Sequence, residues 1–210
     1  MQVIAVGHSI VYGNWDPEGG WVQRLRKHLD KRALEEQDEE LVSEVLNLGI
    51  PGEDSGDLRE RVRKEVERRL WEEVETVAFV MTGANDIQLL VQENRVRVGK
   101  EQFRDNLESI VDDLQQLADH VVLVTECYTT VDGEIPYAPE KAINDERLGE
   151  YVEIQRELAS EKGIEIIDLR TLRSKEEWAS MLEDGIHPDQ DGHELIYGEA
   201  IDAIEELELL

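Results

Sequence analysis

Short, almost uninterrupted apolar runs alternate along the chain with longer stretches in which apolar residues recur every three or four positions. Residues 2–7 (Gln-Val-Ile-Ala-Val-Gly), 41–48 (Leu-Val-Ser-Glu-Val-Leu-Asn-Leu), 74–81, 121–125 and 164–169 are runs of the first kind. They are too short for helices and predict strands buried on both faces. Residues 20–39 place Trp21, Val22, Leu25, Leu29 and Ala33 near helical spacing. Residues 54–72 repeat Leu58, Val62, Val66 and Leu70 at i+4 steps. Residues 100–118 carry Phe103, Leu107, Ile110, Val111, Leu114 and Leu117 along one face. These stretches, with 145–162 and 191–208, predict amphipathic helices. Strands alternating with helices of this length imply an α/β fold, a parallel sheet covered on both faces by right-handed crossovers. Ligands in such folds bind outside the carboxyl ends of the strands. The longest irregular stretch, 127–144, comes after the fourth strand and therefore borders that edge, where a long loop is often functional.

The chain has 210 residues, and residues 1–210 are expected to form one domain. That length buries about 70% of the extended-chain surface. Composition narrows the partners. Fifty acidic against 22 basic side chains leave a formal net charge of −28. Such a surface argues against binding DNA, RNA or anionic lipid, which needs a basic face. Salt screens the self-repulsion of so acidic a chain, and arginine outnumbers lysine by 15 to 7. Both point to a salt-adapted, halophilic host. No apolar run approaches the roughly 20 residues that span a bilayer. The N-terminus lacks the basic segment of a signal peptide, so a cytoplasmic location is expected. Cys127 is the single cysteine. It excludes an intramolecular disulfide and a cysteine-rich metal site.

Four segments stand at positions where chemistry is expected. Gly7-His8-Ser9-Ile10 comes after the first strand, Asn47-Leu48-Gly49-Ile50-Pro51-Gly52 after the second, and Gly83-Ala84-Asn85-Asp86 after the third. Asp184-Gly185-Ile186-His187-Pro188 precedes the last helix. Together they supply the parts of an acyl-transfer site. Ser9 is a candidate nucleophile, which needs a base to take its proton. His187 is a candidate base, and Asp184 can fix its tautomer. The Ser9 and Gly52 N–H groups and the Asn85 side-chain amide are candidate donors to a developing oxyanion. Each segment also has a local structural reading. Ser9 is a candidate helix cap or turn residue, Asp184-Gly185 a turn, and Pro188-Asp189 a helix start. Trp15 and Trp21 flank the Gly19-Gly20 turn and Tyr128 opens the long loop. Trp15 and Tyr128 are the candidate substrate contacts, with core packing as the competing role. Trp71 and Trp178 read as packing residues, and His28 and His120 as surface residues.

The four segments, in this order, resemble the four sequence blocks of the SGNH hydrolases, also called GDSL-type esterases and lipases. Block order and strand pattern cover nearly the whole chain. The resemblance implies a three-layer α/β/α sandwich, flavodoxin-like, with a five-stranded parallel sheet. It implies a Ser9–His187–Asp184 triad, an oxyanion hole of Ser9, Gly52 and Asn85, and hydrolysis of carboxylic esters through an acyl-enzyme. No metal or other cofactor is expected, and the partner is a small-molecule ester with a small or medium acyl group, O-acetylated carbohydrate among the candidates. His8 stands where the family most often has aspartate. Other readings remain open from the sequence: a thioesterase or acyltransferase with the same site, a binding module without catalysis, or a metal-dependent phosphoesterase using Asp86, Asp184 and His187.

Overall fold

The computed structural model describes residues 1–36 and 42–210. In chain order its elements are β1 (Gln2–Gly7), α1 (Ser9–Tyr12), α2 (Gly20–Glu36), β2 (Glu44–Gly49), α3 (Ser55–Glu67), β3 (Thr76–Met81), β4 (Leu89–Leu90) and β5 (Arg95–Val96). Next come α4 (Lys100–Gln115), β6 (His120–Val124), β7 (Gly133–Ile135), β8 (Ala138–Ile143), α5 (Asp145–Lys162), β9 (Glu165–Ile167), α6 (Leu169–Leu172), α7 (Lys175–Ala179) and α8 (Gln190–Glu206). Residues 37–39 of the expected first helical stretch and residue 41 of the expected second strand lie outside the described residues.

Five strands form the parallel sheet, in the order β2-β1-β3-β6-β9. This is the flavodoxin-like order, with its switch point between β1 and β3. Alternation along each strand divides the core into two. Val3 and Ala5 of β1, with Val77, Phe79 and Met81 of β3, pack against Trp21 and Leu25 of α2 and Ile196, Ala200 and Ile204 of α8. Ile4 and Val6, with Ala78 and Val80, face Leu58 and Val62 of α3, Leu107 and Ile110 of α4 and Tyr151 of α5. The three layers are thus the two helical covers and the sheet between them. Burying each large apolar side chain fully contributes about 1.5–3 kcal/mol.

The register sets the site. Gly7 of β1 is paired with Gly49 of β2 and with Met81 of β3, so three strands end level. The segments leaving these ends emerge side by side. Gly7 itself has φ +146°, and a Cβ there would lie 2.0 Å from the Met81 carbonyl oxygen. Only glycine lets β1 turn this close to β3.

Three departures from the periodicity have a visible cause or consequence. The helix expected over 54–72 stops at Glu67. There the Gln2 side chain takes over the backbone: its Nε2 donates to the Arg69 carbonyl (2.6 Å) and its Oε1 accepts from the Trp71 N–H (3.2 Å). The last expected strand is shorter than 164–169, because Asp168 caps the one-turn helix α6 by accepting from the Arg170 N–H. The stretch 127–144 is not irregular throughout. It holds the β7–β8 hairpin, which joins β4 and β5 in a second, antiparallel sheet ordered β5-β4-β8-β7.

Candidate active site

Ser9 opens α1, with His8 as its N-cap and Gly13 closing it in a left-handed conformation. The Ser9 hydroxyl lies 2.9 Å from His187 Nε2. His187 Nδ1 lies 2.8 Å from Asp184 Oδ2. An ionised carboxylate only accepts, so Nδ1 carries the proton and Nε2 is free to accept from the serine. The other carboxylate oxygen, Oδ1, accepts the backbone N–H groups of Ile186 (3.0 Å) and His187 (2.8 Å). Partial burial alone would raise the Asp184 pKa. The hydrogen bonds from the His187 side chain and backbone outweigh it and hold the carboxyl at about 2.

The histidine loop is clamped from both ends. Leu182 bridges Pro188, and the Asp189 N–H donates to the Met181 carbonyl (2.8 Å). The carbonyl of Gly185, at the loop's tip, accepts from the Thr130 N–H (2.9 Å) and the Thr129 hydroxyl (2.8 Å). The segment between β6 and β7 therefore braces the loop that carries Asp184 and His187.

Ser9, Gly52, Asn85 and His187 line one cleft of about 290 Å³. Asn85 is held by both ends of its amide: Nδ2 donates to the Glu53 carbonyl (2.9 Å) and Oδ1 accepts from Gln88 Nε2 (2.8 Å). One amide hydrogen is left over. Gly52 has φ +83° and open space around it, so backbone conformation and not crowding requires glycine. Its carbonyl accepts from Arg97 Nη1 (2.9 Å), and Arg97 Nε also pairs with Asp54 (2.6 Å). The turn before α3 is fixed by this contact. The cleft's apolar wall is formed by Ile135, Ala138 and Ile143 of the hairpin and by Ile186.

Asp86 does not join Asp184 and His187. It is fully buried and accepts from the Ser55 N–H (3.1 Å to each oxygen) and the Ser55 hydroxyl, tying the β3 loop to the start of α3. Burial, against these hydrogen bonds, pushes its pKa up from 3.8 to about 6. A folded-state pKa above the unfolded one contributes stability below the unfolded value that is lost as pH rises through the folded one. The protein is therefore expected to lose up to about 3 kcal/mol through Asp86 between about pH 4 and about pH 7. Tm measured against pH should show a flatter slope over that range in Asp86→Asn. An unchanged slope would assign the decline to other groups.

The aromatic candidates separate. Trp15 is 56% exposed, and its Nε1 donates to Asp184 Oδ2 (3.1 Å). It stands beside the serine–histidine–aspartate chain at the rim. Tyr128, expected to contact substrate, does not line the cleft. Its ring lies against the Arg170 guanidinium (4.4 Å to the centroid) and beside a separate void of about 20 Å³. Its hydroxyl donates to the Arg170 carbonyl (3.4 Å), and these contacts turn it away. Trp21 and Trp178 are core residues, whereas Trp71 is 42% exposed. His193 is buried, accepting from the Trp21 N–H and donating to the Asn14 carbonyl, so it joins α8 to the turn before α2. His28 and His120 are each half-buried, His28 bonded to the Tyr197 hydroxyl (2.7 Å).

Sequence reasoning misses Tyr137, Gln88 and Glu126. Tyr137 lines the cleft. Burial and the nearby Asp184 carboxylate push its hydroxyl up to about 12. Glu126 stands two positions past the end of β6, and that place at a strand's carboxyl end is the signal that marks it. Among the described residues, no group of three or more His, Cys, Asp or Glu side chains is arranged to hold a metal. No helix among them is long and apolar enough to cross a membrane.

A flavodoxin-like sheet whose strand ends gather these four segments defines a carboxylic ester hydrolase of the GDSL type. The family model described as GDSL-like lipase/acylhydrolase matches residues 5–195, and the chain belongs to that family. The isoamyl acetate-hydrolyzing esterase 1 homolog of Homo sapiens is 23% identical over 205 residues, covering 93% of this chain and 78% of that one. The crystal structure of a lipase/acylhydrolase from Enterococcus faecalis aligns with a TM-score of 0.71 at 26% identity, over 98% of this chain and 96% of the other. An acetylxylan esterase from Geobacillus stearothermophilus shares the fold, with a TM-score of 0.70 at 20% identity over 97% and 93% of the two chains.

Proposed function

We propose that the protein is a serine esterase of short acyl esters, with Ser9 as nucleophile, His187 as general base and then acid, and Asp184 as the group that orients His187. The observation that carries this reading is the unbroken chain Ser9 Oγ–His187 Nε2 (2.9 Å) and His187 Nδ1–Asp184 Oδ2 (2.8 Å), opening on a cleft that also holds Gly52 and Asn85. In acylation, Ser9 Oγ attacks the ester carbonyl while its proton passes to Nε2. The Ser9 and Gly52 N–H groups and the Asn85 amide receive the negative oxygen. His187 then protonates the leaving alcohol. Water repeats the sequence on the acyl-enzyme and releases the acid.

The cleft volume lies at the lower end of the usual range of ligand sites, and its apolar wall is short. We read it as an acyl site for acetate to butyrate. Trp15, exposed at the rim, is the contact for the alcohol portion, and O-acetylated carbohydrate fits that division. The test is a p-nitrophenyl ester series. kcat/KM should be highest for the two- to four-carbon chains and drop roughly tenfold or more by eight carbons, since methylenes forced into a pocket already filled cost about 1–3 kcal/mol. A maximum at long chains would overturn the short-acyl reading.

The net charge of −28 belongs to the same proposal. We read the chain as one domain adapted to a salt-rich cytoplasm. Tm is expected to rise from low salt to molar KCl as like charges are screened. Equal Tm values would remove the salt-adapted reading and leave the esterase untouched.

A further inference from the structure

His8 and Glu126 are buried together beneath the nucleophile, 1% and 2% exposed, with Nε2 2.7 Å from Oε1. They are far apart in sequence, one just after β1 and the other just after β6. Each also holds a second group. His8 Nδ1 accepts the Ile10 N–H (3.3 Å), which caps the one-turn helix that Ser9 opens. Glu126 Oε1 also accepts the Ala84 N–H (3.2 Å), in the loop that carries Asn85. The Glu126 side chain lies against Gly83, whose Cβ position is 3.5 Å from Glu126 Cγ.

These contacts define a protonation state. A nitrogen that accepts the Ile10 N–H carries no proton, so Nε2 carries it and donates to Glu126. We propose that His8, neutral and protonated on Nε2, forms with Glu126 a positioning pair that fixes the Ser9 turn and the Asn85 loop relative to one another, and that a proton on His8 Nδ1 releases the first of them. A second proton would set an N–H against the Ile10 N–H and abolish the cap. The charged groups facing His8 are Glu126, Asp86 on the β3 loop and Glu53 on the β2 loop. Burial opposes protonation, and these carboxylates, Glu126 foremost, outweigh it and raise the His8 pKa above the ordinary imidazole value. Acid then acts on the site through the turn that carries Ser9.

The proposal rests on the esterase reading, and its test separates the two. His8→Asn keeps a short side-chain acceptor for the Ile10 N–H and removes the titrating group. Glu126→Ala removes the oxygen that accepts from both His8 and the Ala84 N–H. With p-nitrophenyl acetate, Glu126→Ala is expected to lower kcat roughly 10- to 100-fold with KM changed less than about threefold, the mark of misplaced reacting groups. In His8→Asn the acid limb of kcat should shift to lower pH. Tm of both variants is measured alongside, and nitrogen NMR of the imidazoles should show His8 protonated on Nε2 near pH 8. Wild-type kcat and an unmoved acid limb in both variants, or a His8 spectrum with the proton on Nδ1, would overturn the proposal. The NMR readout decides the tautomer even if no p-nitrophenyl ester is turned over, a result that would count against the esterase reading alone.

Discussion

Ser9→Ala should abolish ester hydrolysis while leaving the fold in place. Removing Oγ takes away the proposed nucleophile, and His187 Nε2 loses its partner at 2.9 Å. Nothing else in the cleft replaces it. Cys127 is buried, and burial, with Glu126 nearby, pushes its thiol far above the usual range, so it supplies no thiolate. The expected loss in kcat is roughly 10⁴- to 10⁶-fold, with a small residue from the oxyanion donors and binding. Alanine keeps the start of α1, because the cap comes from His8 and not from Ser9. The measurement is p-nitrophenyl acetate turnover in molar KCl, with a pre-steady-state burst in the wild type. Equal rates in both proteins would place the activity outside this site.

Asp184→Asn should cost nearly as much, for a reason visible in the hydrogen bonds. Asp184 Oδ1 accepts two backbone N–H groups, from Ile186 and His187. In the variant the amide oxygen must take that place, since an NH₂ would face two donors. The amide NH₂ is then turned toward His187 Nδ1 and the Trp15 indole N–H, where Oδ2 accepted from both. His187 answers by moving its proton to Nε2, which can no longer accept from Ser9. A loss of roughly 10⁴-fold in kcat at neutral pH is expected for this tautomer error. Asp184→Ala leaves Nδ1 without a dictated partner and should lose less than the asparagine variant. If asparagine were the milder change, the carboxylate would be acting by charge alone.

Much of this arrangement is legible from the residues. The parallel sheet can be read from five short apolar runs separated by amphipathic stretches, and 145–162 forms the helix that its pattern predicts. Ser9, Gly52 and Asn85 stand out because strand order in such a sheet brings carboxyl ends together, and the level pairing of Gly7 with Gly49 and Met81 is how it does so. The second sheet is not legible. β4 and β5 have two residues each, too few to show a period. β8 contains Pro139 and the connecting turn Pro136, both of which argue against strand from sequence alone. The placement of Tyr128 outside the cleft is not legible either, because its Arg170 partner lies 42 positions away. His8 and Glu126, 118 positions apart, show no local signal of each other.

The small antiparallel sheet has a consequence for how such an enzyme changes over time. The proposed reacting groups are anchored to the parallel sheet and to the loop before α8. Part of the apolar lining comes from Ile135, Ala138 and Ile143, on a hairpin that contributes no strand to that sheet. Insertions or exchanges within 133–143 can widen or narrow the acyl site without displacing the reacting groups. Selectivity and reactivity are therefore separately heritable in this molecule, and a graft of that hairpin between relatives is the natural unit in which preference would be exchanged.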